Sequence, residues 1–134
     1  MRTTLFSAKA EYACIAMLEL AAQYLAQKPD AKESVTLVYY ARGCFSYFYP
    51  GKITRFKPYY VDAGYEQELL DALHGADYLV IYYAVQGSID KYSKLIQTLA
   101  NIQPDHEIWL NGYKYALVYR VDSFPPDVYD ALAK

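Results

Sequence analysis

Apolar and polar positions along this chain follow two rhythms. Between residues 7 and 28 the rhythm is helical. Ile15, Leu18, Ala22 and Leu25 recur on one face, and Glu11, Glu19, Gln23 and Lys28 occupy the other. Ser7 offers an N-cap and Pro29-Asp30 ends the run. A second helix is predicted over Tyr65 to His74, with Leu69, Leu70 and Leu73 inward and Gly75 where a C-terminal cap belongs. A third is predicted from Ser88 to Asn101, with Tyr92, Leu95, Ile96 and Leu99 on one face and Pro104 beyond it.

The other rhythm is extended. VTLVYY (35–40) and YLVIYY (78–83) are continuous β-rich runs, as strands buried on both faces require. Ile53 to Phe56 predicts a shorter strand, and Val128 to Ala133 a last helical turn. HEIWL-NG-YKYALVYRV (106–121) is the clearest local signal. Two alternating strands flank Asn111-Gly112, a pair that tolerates the positive φ of a tight hairpin turn.

Two βα units make a parallel pair, because a helical crossover returns the chain in the same direction. The expected fold is therefore α/β: one domain spanning 1–134, with a mixed sheet, a parallel βαβ core and helices packed on the sheet. The C-terminal antiparallel hairpin is expected at one edge.

Composition adds one unusual feature. Of 134 residues, 54% are apolar and 21% charged, a globular balance, but 17 are tyrosine. Tyrosine is favoured in strands, and its polar tip also suits half-wet surfaces, sugar sites and membrane interfaces. The formal net charge is −2 with no basic run. Nucleic-acid binding needs a cationic footprint, so no nucleic-acid partner is expected. Cys14 and Cys44 form no CxxC, and His74 and His106 stand far apart, so no metal site and no cofactor are expected. No catalytic triad or carboxylate pair is apparent, and no catalytic residue is assigned. The start lacks a signal-peptide core, and the run from Ala10 to Ala26 is broken by Glu11, Glu19 and Gln23. As written, the chain is expected to be cytoplasmic.

Ligands of open α/β sheets favour the carboxyl ends of the parallel strands. Two loops are expected there: Ala41 to Gly51, rich in aromatics, and Ala84 to Gly87. Arg42, Tyr47, Tyr49 and Gln86 are the candidate ligand-binding residues. The competing reading of the first loop is that its aromatic rings fold back and cover the sheet edge.

Two resemblances follow from longer stretches. FSAKAEYACIAMLELA (6–21) resembles the first helix of the winged-helix repressors that regulate iron–sulfur-cluster assembly and cysteine synthesis. The segments after it do not continue that pattern: no recognition helix, wing or cysteine group follows, so DNA binding is not implied. From about Leu20 to Leu132 the chain resembles the C-terminal domain of polytopic membrane glycosyltransferases that use polyprenyl-phosphate sugars, of the dolichyl-phosphate-mannose mannosyltransferase-like and lipid-A arabinosyltransferase-like group. AAQYLAQKPDA, FSYFYPGK, ADYLVIYY, QPDHEIWLNGYKYALVYRV and PPDVYDAL carry this likeness.

The second resemblance implies a non-catalytic accessory domain, since that family's catalytic acids lie between its early membrane helices. Its implied partners are the membrane surface, a polyprenyl-phosphate sugar or a membrane glycosyltransferase core, and its implied place is the extracytoplasmic face of the membrane. The two likenesses overlap at Leu18 to Tyr24, which suggests a fusion in which 1–28 has an origin separate from the sheet-containing body, 29–134. A remnant of a regulator and a stand-alone small-molecule-binding domain are the alternative readings.

Overall fold

The computed structural model describes residues 2–5, 20–39, 45–56, 65–82, 94–110 and 112–133. In chain order the elements are β1 (Arg2–Leu5), a helix α1 over 20–26, β2 (Val35–Tyr39), a single turn α2 (Phe45–Phe48), β3 (Lys52–Phe56) and α3 (Tyr65–His74). They continue with β4 (Tyr78–Tyr82), α4 (Lys94–Leu99), β5 (His106–Leu110), β6 (Tyr113–Arg120), a 3-10 turn (Val121–Ser123) and α5 (Pro126–Ala133).

The described strands form one six-stranded sheet in the order β1-β5-β6-β4-β2-β3. β2 pairs parallel with both β3 and β4, β1 pairs parallel with β5, and β6 runs antiparallel between β4 and β5. Thus β6 alone among these strands runs against the rest. The fold is a mixed α/β sheet with a parallel βαβ core and an antiparallel hairpin, as the sequence predicts.

Side-chain alternation along the strands feeds two cores. On one face Val38, Val80, Ile108, Ala116 and Val118 pack against Ala21, Ala22 and Leu25 of α1 and against Phe45 and Tyr49. On the other, Leu37, Leu79, Ile81, Leu117 and Tyr119 pack against α3, α4 and α5 through Leu69, Leu73, Leu95, Leu99, Val128 and Leu132. Strand β2 is closed on both sides: Thr36, Leu37 and Val38 are all 0% exposed. The connections over the α1 face move the chain from β1 to β2 and on to β3. Those over the α3 face carry it back from β3 to β4 and then to β5. All four crossovers therefore wind in one sense, as crossover chirality demands.

Three details differ from expectation. Residues 2–5 form a strand, so the hairpin is not at an edge: β1 flanks β5 on its outer side. Four residues without punctuation on either side carry little local signal, and only the unpaired edge of β5 selects them. The aromatic loop contains the helical turn α2, because Phe45 and Tyr49 must both reach the α1 core. The last helix begins at Pro126, whose missing N–H and fixed φ suit the first helical position.

The hairpin closes as read. Leu110 pairs with Tyr113, leaving a two-residue loop in which Gly112 has φ +83°. Gly112 is the positive-φ glycine among the described residues; Gly75, after α3, is not one. A register shift between Ile108 and Trp109 bulges the ladder and sets Lys114 opposite Trp109. Of the predicted helix 7–28, residues 20–26 are helical and 7–19 lie outside the described residues. Of the predicted helix 88–101, Lys94–Leu99 is helical and 88–93 lie outside the described residues. Among the described residues no helix is long and apolar enough to cross a membrane.

Candidate functional site

The topology marks one place on the sheet edge. β2 and β4 are parallel neighbours, with Tyr39 level with Ile81 at their carboxyl ends. From β2 the chain passes to α2 on the α1 face, and from β4 it passes to α4 on the opposite face. Adjacent parallel strands whose exits diverge to opposite faces leave a crevice between them, which is where ligands of doubly wound sheets bind.

Of the four candidate side chains the structure describes one, Tyr49, and its hydroxyl lies beside Ser34 at the amino end of β2. Arg42 and Gln86 follow β2 and β4 in sequence and lie outside the described residues. Tyr47 is in α2, and its side chain is outside them too. Tyr49 is 3% exposed, tilted against Phe45 with ring centroids 5.5 Å apart. Its hydroxyl shares a hydrogen bond with Ser34, whose Oγ also donates to the Ala31 carbonyl at 2.9 Å. Cys14 and Cys44 lie outside the described residues.

A polar network that the sequence reading did not anticipate lies at the opposite end of the sheet, around the start of β5. Tyr24 of α1 donates to Asp105 Oδ2, and Lys28 Nζ sits 3.0 Å from the same oxygen. The Lys28 ammonium also lies 4.8 Å from the centre of the Tyr24 ring. His106 stacks on Tyr24 with centroids 4.1 Å apart. Burial works against the Asp105 carboxylate, but the hydrogen bonds from Tyr24 and Lys28 outweigh it and hold its pKa below the usual value. Burial lowers the His106 imidazole and, together with the Asp105 hydrogen bond, raises the Tyr24 phenol. Beside this group, Tyr78 donates to Asp30 Oδ1 at 2.8 Å, and burial with that bond pushes its phenol up to about 12.

Asp77 completes the arrangement. Its carboxylate accepts the Val35 N–H at 2.8 Å, its own N–H donates to the Val35 carbonyl at 2.7 Å, and its carbonyl accepts Val121 N–H at 2.9 Å. The start of β2, the start of β4 and the end of β6 are thereby tied at one point. A cavity of about 340 Å³ opens here, walled in part by Asp30, Asp77, His74, Arg120 and Tyr129. Two contacts line it: Arg120 bonds Asp122 at 3.3 Å, and the His74 ring stacks on Tyr129 with centroids 4.7 Å apart. Chemically this end is a clasp. Spacing could not have found it, because its members come from α1, the turn after it, β4 and β5 and meet only in the fold. Among the described residues no group of three or more His, Cys, Asp or Glu side chains converges as a metal site would require.

Comparison of the chain with protein-family models, with curated proteins and with solved structures yields no match.

Proposed function

We propose that this chain is a non-catalytic accessory domain of a polyprenyl-phosphate-sugar-dependent membrane glycosyltransferase. Its work is to dock on the membrane part or to hold a sugar-bearing ligand at the crevice between β2 and β4. One observation carries the reading. Four stretches that resemble the tail domain of such enzymes meet in a single core: Ala21, Ala22 and Leu25 from the first, Phe45 and Tyr49 from the second, Tyr78 and Val80 from the third, and Ile108, Ala116 and Val118 from the fourth. The fifth stretch supplies Val128 and Leu132 to the opposite core. The stretches that carry the resemblance thus belong to one folded unit, as the tail domain of such an enzyme requires.

The remnant-regulator reading lacks such support. The end of its helix, at Ala21, is buried in an α/β core. The reading as a stand-alone small-molecule binder is favoured by the divergent exits of β2 and β4, and the two are separated by what binds. The test is calorimetric titration of the chain with a short-chain polyprenyl-phosphate hexose, set against the free hexose and the free phospholipid. The accessory-domain reading expects tighter binding of the lipid-linked sugar, weakened by Arg42→Ala and Gln86→Ala. Binding of the free sugar alone favours the stand-alone reading, and binding of neither overturns both.

A further inference from the structure

A cavity of about 440 Å³ lies on the α3 face, between α4 and the hairpin. Its volume falls within the range of small-molecule sites, roughly 300–1,000 Å³. The floor is apolar, built from Leu99 of α4, Ile102, and the inward side chains Leu117 and Tyr119 of β6. The walls are polar. Asn101 and Gln103 stand on the α4–β5 connection, and Glu107 and Lys114 on the two hairpin strands. The rim is fixed by the main chain, with Ile102 N–H on the Leu99 carbonyl at 3.0 Å and Asp105 N–H on the Val118 carbonyl at 2.8 Å.

The lining discriminates between ligand classes. Glu107 and Lys114 face each other at 3.7 Å, so the one full charge of each sign is answered within the wall. A charged ligand would have to break that pair to gain its own. The two amides and the paired charges nevertheless offer donors and acceptors side by side above a hydrocarbon floor. That combination suits a neutral ring carrying hydroxyls on its edge and C–H groups on its face.

We propose that this cavity is a binding site for a neutral sugar, of one or two pyranose rings. The site deepens the accessory-domain reading, on which it rests for biological meaning, by giving an acceptor glycan a place distinct from the lipid-linked donor. Trp109 supplies a built-in reporter: it is the single tryptophan of the chain, and its ring lies 5.7 Å from Lys114 Nζ.

The experiment titrates Trp109 fluorescence of the whole chain with methyl glucoside, methyl mannoside and maltose, with glucose 6-phosphate as the anionic control. The expected result is a saturable response to at least one neutral glycoside, weakened about tenfold by Asn101→Ala. Ala100→Trp, at an exposed wall position, should abolish binding by filling the mouth, with calorimetry as the readout for that variant. Thermal melts of both variants check that the fold is kept. No response to any neutral glycoside overturns the proposal. So does a stronger response to glucose 6-phosphate that Lys114→Ala removes. Co-sedimentation with liposomes, run on the unmutated chain and the same variants, separates the two readings. In the unmutated chain, liposome binding without any glycoside binding sinks the sugar pocket alone, while glycoside binding that both variants weaken, without liposome binding, sinks the accessory-domain reading alone.

Discussion

Tyr24 on α1 and His106 at the start of β5 stack face to face, their centroids 4.1 Å apart and their planes within 8° of parallel. The tyrosine hydroxyl then reaches past the histidine to the carboxylate of its chain neighbour, Asp105. One helix residue therefore holds two consecutive residues of a distant strand, by apolar contact and by a charged hydrogen bond. Tyr24→Phe keeps the stack and removes the bond. Hydrogen bonds to charged groups contribute about 1.5–3 kcal/mol, and partial exposure places this one at the low end. A loss of about 1.5 kcal/mol in urea unfolding is expected. A larger loss for Tyr24→Phe than for Tyr24→Ala would contradict the assignment of the stack as the apolar part.

The same group sets the acid limit of stability. Burial holds the folded His106 pKa below the usual 6.5, so as pH falls the unfolded chain takes up this proton first. Its contribution is fully present above about pH 6.5 and is lost as pH drops through the folded value. Asp105, held below 3.8 by Tyr24 and Lys28 against the effect of burial, behaves likewise in a lower window. Acid unfolding should thus begin near pH 6.5 and steepen below pH 4, and His106→Gln should flatten the upper part. A stability profile level from pH 7 to pH 5 would count against this.

Tyr78 contributes to the alkaline limit, together with Tyr24 and Tyr129, whose phenols burial also raises. An unfolded phenol ionises near 10, while the buried Tyr78, bonded to Asp30, is pushed up to about 12. Its contribution is complete below pH 10 and is lost as pH rises through 12. Thermal melts should fall over that interval in the wild type and fall less in Tyr78→Phe.

Gly51 explains why the aromatic loop ends in Tyr-Pro-Gly. A side chain at this position would press its Cβ into the phenol of Tyr49 and come within 2.6 Å of the Ala31 carbonyl. Neither neighbour can yield, since the phenol is tied to Ser34 and the other is main chain. Gly51→Ala is expected to destabilise by about 1–3 kcal/mol through overpacking. An unchanged midpoint in urea would mean that the loop relaxes freely.

Thr36 offers the opposite sign. It is fully buried in β2, and its Oγ1 has no hydrogen-bond partner among the described residues. Thr36→Val keeps the shape and removes an unsatisfied hydroxyl, and should stabilise by about 1 kcal/mol. Destabilisation on this change would mean that the hydroxyl is satisfied by a bound water.

These residues also mark how far the sequence could be read. Strands β2 and β4 were legible because burial on both faces demands unbroken β-rich runs, and the hairpin because Asn111-Gly112 is needed where a two-residue turn closes. α3 was legible because Leu69, Leu70 and Leu73 repeat at helical spacing. β1 was not, since its pairing with β5 is decided by a strand about a hundred residues away. Nor was the clasp, in which Tyr24, Lys28, Asp105 and His106 acquire meaning only through contact. Tyr49 shows the limit of composition: an aromatic-rich loop fits a ligand or a core equally well, and the Ser34 bond places this ring inside.

The central claim is tested most directly by co-sedimentation of the whole chain with liposomes, with and without a polyprenyl-phosphate sugar in the bilayer. The account predicts partition into the pellet that rises when the lipid-linked sugar is present and falls back in Arg42→Ala. A chain that stays in the supernatant under both conditions would contradict it.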